Sequence, residues 1–133
     1  MDHEEAKKLA ERFVLFCETN EPDGVFAPDV FCDINVPEWR FQLQGEQAVL
    51  DWMTSELPNG SWVPSWRSDP TPSGVVVEVE QHYDVDGREH LSRNLHRLEV
   101  RDGKVVSWTM YCTGDWSPET QERQAREAPM IKP

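Results

Sequence analysis

"GVVVEVEQHYDV" (Gly74–Val85) is the stretch on which the fold turns. It alternates, so as a strand it sets Val75, Val77, Val79 and Tyr83 on one side and Glu78, Glu80, His82 and Asp84 on the other. Two packings follow. In the first, the valines are the core and the acids meet water. In the second, the valines form an outer face that a second subunit covers, and Glu80 and His82 turn inward. The pattern alone favours the first, because an apolar face is expected to look at the core.

The neighbouring segments extend the same sheet. Asp86-Gly87 marks a hairpin turn into "REHLSRNLHRLEV" (Arg88–Val100), and Asp102-Gly103 marks a second one into "KVVSWTMYCTGDW" (Lys104–Trp116). In the first of these strands Ser92, Asn94, His96 and Leu98 oppose Leu91, Arg93, Leu95 and Arg97. The set with two arginines is the more natural outer one. In the second, Ser107, Thr109, Tyr111, Thr113 and Asp115 oppose Val106, Trp108, Met110, Cys112 and Trp116. Upstream, "SWVPSWRSD" (Ser61–Asp69) is broken by Pro64, which suits an edge or bulged strand.

The N-terminal part reads as helices around one strand. Asp2 and Glu5 form a capping box, and Ala6, Leu9, Ala10, Phe13, Val14 and Cys17 recur at helical spacing up to a stop near Asn20. "FCDINVPEWRFQLQG" (Phe31–Gly45) reads as a strand running into a loop, with Phe31, Asp33 and Asn35 on one side and Cys32, Ile34 and Val36 on the other. "GEQAVLDWMTSEL" is a second amphipathic helix through Val49, Trp52, Met53 and Leu57. Ser117-Pro118-Glu119 opens a short polar helix, so that 117–133 is that helix and a tail. The expected class is α+β, a single domain over 1–133: a curved antiparallel sheet with helices on one face and a hollow between the layers.

Composition narrows the function. A length of 133 residues suits one domain, and six Trp and five Phe supply bulky burial. The formal net charge of −12 argues against nucleic acid and against an anionic membrane surface as partners. Three isolated cysteines, Cys17, Cys32 and Cys112, suggest neither a zinc site nor a disulfide framework. No apolar signal core and no long apolar run is present. A cytoplasmic protein is expected.

With those residues in hand, the chain resembles the nuclear-transport-factor-2-like (NTF2-like) superfamily, over roughly Glu4 to Trp116. Within it the chain is most similar to SnoaL-like polyketide cyclases and limonene-epoxide-hydrolase-like proteins. The resemblance is carried by "DGKVVSWTMY" and by Asp33-Ile34-Asn35-Val36-Pro37 followed by "LQGEQAVLDWM". It implies a cone-shaped fold, a curved sheet wrapped around N-terminal helices, and a polar inner face. In the epoxide hydrolases a Tyr-x-Asn-x-Pro segment helps hold the attacking water; Asn35 matches its Asn, but Asp33 stands at its Tyr. Their Arg-x-Asp falls on Glu80 and His82, and neither matches. Their Tyr-x-Asp is here Tyr111-Cys112-Thr113, with Asp115 two residues on.

The inner face implied by the resemblance collects Asp33, Asn35, Glu80, His82, Asn94, His96, Tyr111 and Asp115 around one cavity. Carboxylates beside imidazoles shift each other's proton affinities, which general acid–base chemistry requires. The expected catalytic residues are therefore Asp33, His82, His96, Tyr111 and Asp115. The expected substrate-binding residues are Asn35, Trp39, Glu80, Asn94 and Thr113, with Trp39 roofing the mouth. The expected function is a cofactor-free enzyme that cyclises, isomerises, dehydrates or opens the epoxide of a hydrophobic metabolite, without a metal, and as a homodimer through the outer sheet face. Duller roles stand beside these: core histidines at 82 and 96, an exposed strand residue or a salt-bridge partner of Arg93 or Arg97 at Asp33, a packing tyrosine at 111, and a turn cap at Asp115. A non-catalytic ligand-binding or dimerisation module of the same fold is the alternative function.

Overall fold

The computed structural model describes residues 1–132. Helix α1 (His3–Thr19) starts where the Asp2 carboxylate accepts from the Glu5 N–H at 2.8 Å. It ends at Asn20, which takes a left-handed conformation with φ 63°. The Asn20 side chain then donates to the Leu57 carbonyl at 2.7 Å, which ties the end of α1 to the end of α2 (Glu46–Glu56).

Six strands follow in chain order: β1 (Phe26–Val36), β2 (Trp39–Gln44), β3 (Trp62–Thr71), β4 (Gly74–Val85), β5 (Arg88–Arg101) and β6 (Lys104–Cys112). In space they lie β2-β1-β6-β5-β4-β3, in one curved, unclosed sheet. Neighbours are antiparallel except β1 and β6, which run parallel. The segment after Pro37, expected as a loop, is strand β2, whose Trp39, Phe41 and Leu43 already alternated with Arg40, Gln42 and Gln44. The two Asp-Gly turns form as expected, with φ 52° and 78° at Asp86-Gly87 and 53° and 76° at Asp102-Gly103. Helix α3 (Pro118–Glu127) is capped by Ser117 and buries no residue. Among the described residues no helix is long and apolar enough to cross a membrane.

The core lies between the sheet and the two long helices. α1 contributes Leu9, Phe13, Phe16 and Cys17, and the sheet contributes Cys32, Ile34, Val75, Val77, Val79, Leu98, Trp108 and Met110, all buried. Trp108 is its centre, stacked on Phe26 at 5.9 Å and met edge-on by Phe13 at 5.3 Å.

These burials correct the inner face expected from the resemblance. On β4 the valines look inward and Glu78, Glu80 and His82 look outward; on β6 the inward set is Trp108, Met110 and Cys112; on β1 it is Cys32, Ile34 and Val36. Only β5 keeps its polar set inside. Register explains this, because residues opposite one another in an antiparallel sheet share a face. His96 faces Val77 on one side and Met110 on the other, so all three are inside together. The outer face of β4 consequently carries acids and a histidine rather than the valine stripe expected to meet a second subunit.

Candidate functional site

A cavity of about 890 Å³ opens between the inner sheet face and the helices. One wall is apolar: Trp52, Met53 and Leu57 come from α2 and its end, and Val36, Pro37, Trp39 and Phe41 from β1, β2 and the turn between them. The opposite wall is a polar stripe from β4 and β5, made of Gln81, Ser92, Asn94 and His96.

His96 sits at the inner end, only 1% exposed, with the Phe13 ring 4.8 Å away. Its Nδ1 accepts the indole N–H of Trp108 at 2.9 Å. An indole can only donate, so Nδ1 carries no proton and the neutral ring holds its hydrogen on Nε2. Burial pushes the His96 pKa down to about 3, which keeps that neutral form. The Nε2–H has no partner in the protein.

Beside it runs a chain of amides whose direction can be followed atom by atom. Gln81 Nε2 donates to the Cys17 carbonyl and to Ser61 Oγ, so its Oε1 is turned the other way. That oxygen accepts from Asn94 Nδ2 at 3.0 Å. Asn94 Oδ1 is thereby left as a buried acceptor without a partner.

At the mouth stands Asp115. Gly114, at φ 92°, turns the chain off the end of β6; a Cβ there would lie 2.8 Å from Pro37 Cγ, so only glycine fits without a shift. The turn brings Asp115 to the end of β4, where Tyr83 O–H donates to Oδ1 at 2.9 Å and His90 Nδ1 donates to the same oxygen at 2.9 Å. Burial first, and then the hydrogen bond to Asp115, raise the Tyr83 pKa, so the phenol stays a donor.

Trp116, next to Asp115, pairs with Leu91, which puts Asp115 level with the start of the polar stripe. His96 is four positions beyond Ser92, ~13 Å along the strand. The neutral donor and the carboxylate therefore stand at opposite ends of the polar stripe, ~13 Å apart along it.

Of the residues expected at the site, Trp39, Asn94, His96 and Asp115 line this cavity. Asp33, Asn35, Glu80, His82, Tyr111 and Thr113 lie on the other side of the sheet. Asp33 is held by Arg40 through two hydrogen bonds of 2.8 and 2.7 Å, and that guanidinium keeps its carboxyl below the usual range. Asn35 donates to the Met110 carbonyl. His82 is clasped by Glu80 at 2.9 Å and Glu89 at 2.6 Å, with Trp62 against its ring at 4.6 Å. Tyr111 is 59% exposed, and Thr113 Oγ1 accepts from the Arg93 N–H. His82 and His96 occupy opposite faces, so they share no site.

Tyr83, His90 and Gln81 were not among the expected residues. Tyr83 alternates with the valines, and its phase on β4 was the available signal. Gln81 breaks the valine run at an inward position, and an amide in an apolar stripe marks a polar patch inside. His90 had no local signal, because it meets Asp115 only where the Leu91–Trp116 bridge brings the chain beyond β6 back beside β5.

No family model and no curated protein sequence matches the chain. Solved structures do match. An NTF2-like protein from Anabaena variabilis aligns with a TM-score of 0.68 over 88% of this chain and 97% of that one, at 20% identity. A protein with a ketosteroid isomerase-like fold from Catenulispora acidiphila, in complex with trimethylamine, gives 0.64 over 80% and 85%, at 13% identity. An LEH-like epoxide hydrolase from M. tuberculosis gives 0.64 over 82% and 83%, at 18% identity. At such identities the likeness is one of architecture: this chain has the α+β, NTF2-like fold.

Proposed function

We propose that the protein is a small-molecule enzyme in which Asp115 acts as general base on an elongated, largely apolar substrate held in the cavity. The observation that carries this reading is the pairing at the mouth. Two donors, Tyr83 O–H and His90 Nδ1–H, converge on Asp115 Oδ1, which orients the carboxylate and leaves Oδ2 for a substrate proton. Asp115 would take that proton from a carbon acidified by a carbonyl, or from a water attacking an electrophile. Returning it to another atom covers isomerisation, cyclisation, dehydration and epoxide opening. Structural neighbours that include a ketosteroid isomerase-like fold and an epoxide hydrolase support an enzyme of this fold without selecting the reaction.

The test uses a panel of two-ring ketones and epoxides in D2O, with deuterium uptake and product formation followed by mass spectrometry. Wild-type protein is expected to act on at least one compound, and Asp115→Asn to lose at least ~100-fold of that rate. Equal rates in the two proteins across the panel sink the proposal.

A second reading, a ligand-binding module, is favoured by one feature. The ionisable groups deeper in the cavity are fixed in charge near neutrality, His96 at about 3 and Cys17 at about 12. Saturable binding with no exchange on any compound would select it.

A further inference from the structure

We infer that the inner end of the cavity is a binding site for one neutral hydroxyl group, an alcohol or phenol, at the tip of a two-ring ligand. The inference rests on the cavity taking a small molecule, as proposed above, but not on the chemistry at Asp115.

The two unpartnered atoms of the polar wall carry it. His96 Nε2–H is a buried donor and Asn94 Oδ1 a buried acceptor; neither finds a partner in the protein, and both residues line the cavity. The two residues are 1% and 5% exposed. The roles are not interchangeable. Trp108 fixes the histidine as donor, and the Cys17–Gln81–Asn94 chain fixes the asparagine oxygen as acceptor. A group that satisfies both must accept from one and donate to the other, which a hydroxyl does with a single oxygen.

Spacing agrees. The two residues are successive inward positions on β5, ~6.6 Å apart along the strand. Hydrogen bonds of ~2.8 Å to one oxygen place their far atoms ~4.6 Å apart, within reach of two side chains leaning together. A ketone, ether, carboxylate or ammonium leaves something unpaired. A ketone or ether accepts but cannot donate, so Asn94 Oδ1 stays bare. A carboxylate brings a charge against that same oxygen, and among the described residues no Lys or Arg lines the cavity to offset it. An ammonium meets the His96 N–H with another donor. The ~13 Å from His96 to the level of Asp115 then suits two linked or fused rings, with the hydroxyl inside and the reacting end at the mouth.

The experiment titrates the full-length protein by calorimetry with 4-phenylphenol, 4-methoxybiphenyl, biphenyl and biphenyl-4-carboxylate. The His96 Nε2–H signal is followed in parallel by nitrogen-15 NMR. The phenol is expected to bind at least tenfold tighter than the other three and to be the one compound that moves that signal downfield. His96→Phe is expected to erase the preference, but the wild-type ranking decides even if that variant does not fold. Equal affinity of phenol and biphenyl means that an internal water alone serves the pair, and overturns the inference. So does a ranking led by the ether or the carboxylate, or the absence of saturable binding by every probe. Asp115→Asn separates the two readings. If it abolishes exchange while the ranking is flat, only the hydroxyl site falls; if it keeps the ranking while wild type shows no exchange, only the general base falls.

Discussion

The indole N–H of Trp108 ends on Nδ1 of His96 at 2.9 Å, and this one bond fixes both the tautomer and the protonation state of the deepest polar group in the protein. A protonated ring would set N–H against N–H, in a site where burial alone already holds the pKa at about 3. Nitrogen-15 NMR is expected to show a bare Nδ1 and a protonated Nε2 throughout pH 5 to 8. The consequence for stability has a definite sign. The unfolded histidine titrates near ~6.5, so below that pH the unfolded state binds the extra proton. Stability then falls with acid by up to about 1.4 kcal/mol per pH unit until about pH 3. Urea melts of wild type and His96→Phe between pH 6.5 and 4.5 check it: the variant should show the shallower decline.

His82 behaves in the opposite sense. Partial burial works against its charged form, but the hydrogen bonds that the ring donates to Glu80 and Glu89 outweigh it and raise the pKa above the ordinary value. Its contribution is thus fully present below the unfolded value near ~6.5 and is lost as pH rises through the folded one. Wild type should exceed His82→Gln in melting temperature at pH 5.5, and the gap should shrink by pH 9. A gap that widens with pH would show that the Glu80–His82–Glu89 clasp does not hold an imidazolium.

Tyr83→Phe removes one of the two donors on Asp115 Oδ1 while His90 keeps the other. If Asp115 is the general base, turnover on any panel substrate should fall ~10-fold, less than the loss from Asp115→Asn. An unchanged rate would mean that the tyrosine only fills the cavity wall.

Gly74→Ala tests the close approach of β4 and β5. A Cβ at Gly74 would lie 1.9 Å from the Leu98 carbonyl oxygen, against backbone that cannot step aside without breaking the pairing. A loss of about 3 kcal/mol in urea unfolding is expected. A stability within about 0.5 kcal/mol of wild type would mean that the strands separate there at little cost.

The thiols should be quiet. Burial pushes Cys17 and Cys32 up to about 12 and raises Cys112 as well. In native protein at pH 8, an aromatic disulfide reagent should label all three at least ~100-fold more slowly than in urea. Rapid labelling of Cys17 would instead report an open route down the cavity.

What could be read from the sequence alone was local. The Asp2 cap, the stop at Asn20 and the two Asp-Gly turns depend on a few adjacent residues whose backbone preferences dictate them, and each formed where it was expected. The inward set of β5 was legible too, because its alternative would have buried Arg93 and Arg97. The face of β4 was legible in its valines, which the pattern placed inside and the resemblance turned out. What the tertiary structure decided was which residues meet. A period of two is the same whichever face looks inward, so a strand by itself cannot say where its polar side points. Pairing removes that freedom: once His96 is inside, Val77 and Met110 must be, and Glu80, His82 and Tyr111 must not. Asp115 reaches the cavity only because Gly114 bends the chain past the end of β6, and it finds Tyr83 and His90 there, 32 and 25 residues away in sequence. Such contacts are made by folding the sheet against the helices, and no spacing along the chain encodes them.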